Sequence, residues 1–393
     1  MQQSSLLFDL IQSLTVSEKR YVKVFTARYK GNKNYLRLFD AINKQEVYDE
    51  AALLKKFRKE KFTRQINYTK NYLYNLILKS LQAYHDKSIE TQLSDYSQQV
   101  EILYHKGLYE QSLKMLNRAK QLASETSNYL TVLKLLEWEE VIVRTETFKE
   151  NLDKHIQDVL HEKQESLTKQ EALQHCADVR TKFYSLYNKM GPPRNEEQLK
   201  DYETFVKSAS EVEKDGEMPW KACILLYDIK ATFSGFKNDF QQRFDYQQRA
   251  VKIYEKEDIR IASSPNSYIA LLNNYLGSCL LSGDHDVFVK TLDRMRTFID
   301  DIPYLSKSET LRTLIFQWST NRELDYYTFT NDYEGGSKII SEIEMGLKTY
   351  KRTLSGVAVS YISLKVVQIF FALGRFRDCL LYTSPSPRDE QSS

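Results

Sequence analysis

Apolar residues recur at three- and four-residue spacing along most of the chain, the period of an amphipathic helix. The clearest stripe lies in Gln65 to Tyr84. There Leu73, Leu76, Ile77, Leu81 and Tyr84 share one face, interrupted only by Ser80, which is small enough to sit at a helix contact. Upstream, Thr15-x-x-Glu18 is a capping box opening a helix through about Tyr29. Tyr35 to Ile42 and Asp49 to Lys59 are further helical runs. The 12 Gly and 7 Pro in 393 residues are too few for an all-β chain, which needs a turn signal every 8 to 12 residues.

From Gly107 onward short turns punctuate the helical pattern at a period of about 45 residues. They are Gly107-Leu108, Thr147-Phe148, Gly191-Pro192-Pro193, Lys237-Asn238-Asp239, Gly283-Asp284, Asn331-Asp332-Tyr333 and Gly374-Arg375-Phe376. That period accommodates two helices of about 18 residues and two short connections. Helix starts fall where this scheme needs them. Ser264-Pro265 gives an N-cap and a first-turn proline, Pro219 precedes the run Trp220 to Phe233, and Ser306-x-x-Glu309 reads as a capping box.

The string from Tyr104 to Ala119 carries the most specific signal. Gly107 ends one helix, Tyr109 follows two positions later, and Ser112, Leu116 and Ala119 then fall on one face of the next. This resembles the second half of a tetratricopeptide repeat. Gln99 and Val100 stand where that family has Leu-Gly, so the likeness is to the fold more than to the strict 34-residue motif. Gly283, and Gly374 with Phe376, repeat the turn more weakly. Residues 1–378 as a whole resemble bacterial proteins in which a helical N-terminal domain precedes tetratricopeptide-like (TPR-like) repeats. The resemblance implies an all-α fold with a helical domain over 1–90, docked on the first repeat. A TPR-like α-solenoid of about seven helical hairpins, the last one truncated, follows over 91–378. It also implies a non-enzymatic scaffold whose concave surface binds a peptide or partner helix.

Cys379 to Asp389, CLLYTSPSPRD, resembles a translated reading frame of the adapter DNA of transposase-based sequencing libraries at all eleven positions. On that reading Asp378 is the last natural residue and 379–393 form a non-native tail. The final hairpin would lack its second helix. Its first, about Gly356 to Leu373, would then expose Val366, Val367, Ile369, Phe370 and Phe371. The competing reading is a Ser/Pro tail carrying phosphorylation sites or a polyproline ligand.

Charge is distributed unevenly. Residues 1–90 hold 17 Lys and Arg against 9 Asp and Glu, a net +8, whereas the remainder carries a net −5, giving +3 in all. Leu36 to Ile42, Asp49 to Phe57 and Thr69 to Leu81 follow in an order reminiscent of a helix-turn-helix domain. Such a domain would lay Tyr68, Thr69, Lys70, Asn71 and Tyr74 along a major groove, with Lys55, Lys56, Arg58, Lys59, Lys61 and Arg64 against phosphates. The connection Glu60 to Gln65 is long for that motif and lacks a turn glycine. The same basic run also suits a solvated face, or a surface for an acidic partner or for the net-negative repeats. Two classes therefore remain open: a protein-binding scaffold, and a regulator whose N-terminal domain contacts nucleic acid.

Candidate chemistry is sparse, and no cofactor, metal or catalytic residue is expected. His155 and His161 point to different faces of a helix, and His161-Glu162 lacks the second His of an HExxH site. Glu137, Glu139, Glu140 and Glu146 sit in a helix where solvated carboxylates are ordinary, and Gly335-Gly336 lies at a repeat turn. No GxGxxG, Walker-type loop or GxSxG elbow is present. Cys176, Cys223, Cys279 and Cys379 lie at least 47 residues apart, as buried free thiols would. Met1 to Leu14 lacks a signal-peptide pattern, with Asp9 interrupting its apolar part, and no apolar run approaches membrane-spanning length. These features lead to an expectation of a cytoplasmic protein. The 27 Tyr and 19 Phe suit the half-buried spaces between stacked hairpins.

Overall fold

Because backbone breakers are scarce, helix propagates from one turn to the next, and the protein is all-α. The computed structural model describes residues 3–27, 33–84, 88–145, 152–212, 218–302, 305–306, 308–351 and 353–383; the side chains at 3–5, 33, 61, 381 and 383 lie outside that description. Two units are distinguished: Met1–Ser88 with Lys348–Ser355, and Ile89–Leu347 with Gly356–Ser393.

The first unit holds α1 (Gln3–Ser13), α2 (Val16–Ala27), α3 (Lys33–Asn43), α4 (Glu50–Lys56) and α5 (Ile66–Tyr84), with a 3-10 turn at Lys61–Gln65. Leu7 and Ile11 of α1, Val22 of α2, Leu38, Phe39 and Ile42 of α3, Leu53 of α4, and Leu73 and Ile77 of α5 make one core. The expected capping box forms: the Thr15 amide donates to Glu18 Oε2 at 2.9 Å and the Glu18 amide to Thr15 Oγ1 at 3.2 Å. Asp49 caps α4, accepting from the Ala52 amide at 2.9 Å. That helix stops three residues short of the expected Lys59. Phe57 is buried against Phe62, ring centroids 5.2 Å apart, and the chain reverses there; the Phe57 carbonyl accepts from the Glu60 amide (2.8 Å) and Thr63 Oγ1 (2.6 Å). This reversal and the 3-10 turn fill the connection that was long for a helix-turn-helix motif.

The second unit runs α6 (Ile89–His105), α7 (Tyr109–Glu125), α8 (Tyr129–Val143), α9 (Leu152–Met190), α10 (Glu196–Glu211), α11 (Trp220–Phe236), α12 (Phe240–Glu255), α13 (Asp258–Ser263), α14 (Pro265–Ser282), α15 (His285–Thr297), α16 (Glu309–Phe329), α17 (Tyr333–Lys338), α18 (Ile340–Thr349), α19 (Gly356–Ala372) and α20 (Phe376–Thr383). Successive helices pack antiparallel around turns with a left-handed residue: Gly107 (φ 74°), Gly191 (74°), Asn238 (57°), Gly283 (80°), Asn331 (57°) and Gly374 (71°). Six of the seven turns read from the sequence are thus built; the seventh, Thr147-Phe148, lies outside the described residues. A further left-handed turn, at Ser127 (φ 48°), had no Gly or Asn to announce it.

Other expectations change. Leu152 to Met190 contains neither Gly nor Pro, so the two helices expected there fuse into a single helix of 39 residues that ends at Gly191. The cap of α16 is Ser308, not Ser306; its side chain accepts from the Leu311 amide. Ser264 stands before Pro265 as expected but makes no side-chain cap bond. Gly335-Gly336 lies inside α17 rather than in the turn. On α19, Val366, Ile369 and Phe370 are buried against Leu324, Ile340 and Ile343, contrary to the expected exposed face. The exposed stripe is Val357, Tyr361, Leu364 and Phe371. The short α20, most of which falls in the segment read as a non-native tail, packs Cys379 and Tyr382 on that core, while residues 384–393 lie outside the described residues.

Packing reaches beyond nearest neighbours. Trp220 Nε1 donates to the Glu125 carbonyl at 3.0 Å, and Ile259 and Ala262 near α13 pack on Ile89 and Leu93 of α6.

Gly283 shows what the turns require. Nothing stands within 4 Å of a Cβ placed there, so the cost of a side chain is conformational alone. Gly283→Ala is expected to lower stability by about 1 kcal/mol, and Asn331→Gly to leave it unchanged or slightly raised, as read by urea unfolding.

Candidate functional site

In the first unit, the end of α4, the reversal and the 3-10 turn gather Lys55, Arg58, Lys59 and Arg64 around a cleft of about 980 Å³. All four side chains are exposed, and no ion pair to any of them is formed among the described residues. Glu60, in the same cleft, is held by Arg37 at 2.6 Å and so does not offset them. Lys56 lies outside this group, its Nζ 5.8 Å from the Phe57 ring centroid. The Lys61 side chain lies outside the described residues.

The start of α5 departs from the groove-reading expectation. Lys70 is buried and donates to Glu50 Oε1 at 2.7 Å, close to the Tyr48 ring; Thr69 is buried and bonds the Gln65 carbonyl. An ammonium taken out of water needs such a partner, so Lys70 holds α4 to α5 and cannot reach a base edge. Asn71 and Tyr68 face outward and Tyr74 is half-buried. Four of the six cations expected against phosphates therefore share one cleft, whereas Thr69 and Lys70 of the row expected to read bases are turned inward.

In the second unit the repeat signature of α6 and α7 sits as the sequence placed it. Ser112, Leu116 and Ala119 are fully buried, and Ser112 Oγ donates to the Val100 carbonyl at 2.8 Å, which lets α7 lie close on α6. Tyr109 is half-buried beside Tyr104, centroids 5.6 Å apart. Phe376, at the matching place after Gly374, is exposed and touches only the rim residue Phe371 among aromatic rings described.

A polar seam that sequence reasoning missed runs across α9, α11, α14, α16 and α19. Arg180 Nε donates to Asp228 Oδ2 at 2.7 Å, and the Tyr184 hydroxyl reaches the same oxygen at 3.1 Å. From α12, Arg243 extends over Gly235 and its Nε donates to Ser278 Oγ at 3.2 Å. Arg322 lies on Gly277, where a Cβ would come within 3.3 Å of its guanidinium carbon, and donates to Asn273 Oδ1 at 2.8 Å and Asp325 at 3.3 Å. Lys365 reaches Asp325 at 2.7 Å. Burial pushes Arg243 below its ordinary value, with the neighbouring Arg322 charge adding to the fall, and burial does the same to Arg322. Four cations, Arg180, Arg243, Arg322 and Lys365, thus face two carboxylates, Asp228 and Asp325. The sequence signal for the seam is faint: Gly235 and Gly277 interrupt helices 42 residues apart, close to the repeat period.

Among the described residues no group of three or more His, Cys, Asp or Glu is placed to hold a metal, and no helix is long and apolar enough to cross a membrane. Cys176 and Cys279 are buried, Cys223 and Cys379 half-buried, and no disulfide joins any two of them among the described residues. No protein-family model matches the chain, and no curated protein is significantly similar to it.

Burial, then the Asp228 charge, pushes Tyr184 up to about 12, only partly offset by its bond with Thr232. An unfolded tyrosine ionises near 10, so the unfolded chain loses this proton first and stability falls as pH rises from about 10 to about 12. Over that window the native protein is expected to lose about 2 kcal/mol more than Tyr184→Phe, measured by urea unfolding at each pH.

Proposed function

We propose that the second unit is a non-enzymatic, TPR-like scaffold that holds an acidic protein segment along the row α9, α11, α14, α16 and α19. The observation that carries this reading is the seam's surplus of cations, with Arg243 and Arg322 part-buried side by side and Arg243 making no ion pair among the described residues. Desolvated cations bind carboxylates more strongly than surface lysines do, because less water must be displaced and less screening intervenes. Peptides selected from a random displayed library on the full chain should be rich in Asp and Glu. Their affinity should fall at least tenfold in Arg243→Gln/Arg322→Gln, provided thermal melting shows the variant folded. Selection of neutral or basic peptides, or unchanged binding by the folded variant, counts against the scaffold.

A second reading is supported by the cleft of the first unit, where four cations lack ion-pair partners among the described residues. Such a cluster suits the phosphates of a nucleic acid, bound without base reading since Lys70 is turned inward. Fluorescence anisotropy with random duplex DNA should then give a log K against log salt slope of about −4 for four phosphate contacts, abolished when Lys55, Arg58, Lys59 and Arg64 are all changed to Gln. Absence of binding at low salt removes this reading.

A further inference from the structure

Between α9, α11 and α14 lies a pocket of about 360 Å³. Its walls are apolar where Leu173, Ile224, Leu225 and Leu271 line it, and a single uncompensated cation, Lys221, enters from the start of α11. Arg180 also lines it but is bound to Asp228 at 2.7 Å, so the two cancel. Lys221 forms no ion pair among the described residues; its Nζ lies 5.4 Å from the Trp220 ring centroid, and the acidic group felt most is the more distant Glu90. Lys221 is half-buried; burial lowers its proton affinity and the Glu90 charge offsets this in part. The remaining polar lining comes from Ser264, Ser267, Asn274 and Tyr254.

The volume lies at the small end of ligand pockets, and its lining of apolar walls with one converging charge is the usual composition of such sites. We propose that this pocket binds a carboxylate carried on a short apolar stem, the carboxylate on Lys221 and the stem against Leu173, Ile224, Leu225 and Leu271. A carboxylate there would supply the ion pair that Lys221 lacks, and the stem would remove apolar wall from water. A cationic or uncharged stem of equal length gains only the second contribution. The site is independent of the scaffold reading, since it needs neither Arg243 nor Arg322.

Two sources could present this chemistry, a free aliphatic acid or the C-terminal leucine of a peptide. Isothermal titration of the full chain with octanoate, octanol, octylamine, and a pentapeptide ending in leucine with either a free or an amidated terminus separates them. Octanoate or the free-terminus peptide should bind at least tenfold more tightly than its uncharged counterpart. Octanoate as the tighter ligand identifies a free acid; the peptide identifies a chain terminus. Lys221→Gln should remove the preference and Lys221→Arg should keep it, which separates loss of charge from misfolding. Ala270→Phe, filling the pocket from α14, should abolish binding of every probe. The proposal is overturned if neither carboxylate binds at millimolar concentration, if octanol or octylamine binds as well as octanoate, or if Lys221→Gln leaves the preference intact.

Discussion

At seven helix ends of the second unit, among the described residues, the chain turns on one residue in the left-handed conformation. With that residue in place the chain doubles back within two or three residues, and an amide beyond it closes a bond onto the last turn. Leu108 donates to the Leu103 carbonyl at 3.0 Å, Asp239 to Ser234 at 3.0 Å, Asp284 to Cys279 at 3.0 Å and Arg375 to Phe370 at 2.9 Å. These bonds satisfy carbonyls that a helix end otherwise leaves to water. In three of the turns an aspartate then caps the next helix: Asp239, Asp284 and Asp332 accept from the amides of Gln242, Val287 and Gly335. One short turn thus ends one helix and starts the next. The antiparallel contacts that bury Phe244, Tyr268, Leu276 and Phe288 follow from that placement.

Charge is organised by the same packing. The second unit's portion of the chain is net negative, yet its seam is cationic, because many carboxylates are engaged elsewhere. Glu139 and Glu162 grip Lys120 at 2.5 and 2.7 Å, and Glu140 holds Lys163 at 2.5 Å and also Arg144. These contacts tie α7, α8 and α9 together. In the first unit the separation is sharper: Lys70 is taken inside and paired, whereas Lys55, Arg58, Lys59 and Arg64 remain in water. A buried charge serves structure and an exposed cluster is left available for a ligand.

Much of the architecture was legible in local sequence. Left-handed turns advertise themselves through Gly and Asn, the residues that tolerate positive φ, and so Gly107, Gly191, Asn238, Gly283, Asn331 and Gly374 were found. Ser127 adopts the same conformation without that signature and was missed. The 39 residues of α9 show the converse: an average period predicted a break, and the absence of any breaker decided against it. On α19 five of the six residues from Val366 to Phe371 are apolar, so periodicity could not say which side is covered; packing against Leu324 and Ile343 did.

By itself the sequence determined that the chain is helical, where most of its helices turn, and that its first 90 residues are basic, since these depend on backbone preference and composition within a few neighbouring residues. Only the tertiary structure decided which charges are free. Lys70 and Arg64 both belong to the basic stretch expected to face a ligand, but one lies against Glu50 and the other in open water. Arg180, Arg243 and Arg322, far apart along the chain, meet in one seam because the helices that carry them are stacked. Lys221 gains its significance from the apolar walls that three other segments close around it. Burial and proximity across elements are set by packing, and local sequence carries almost no record of them.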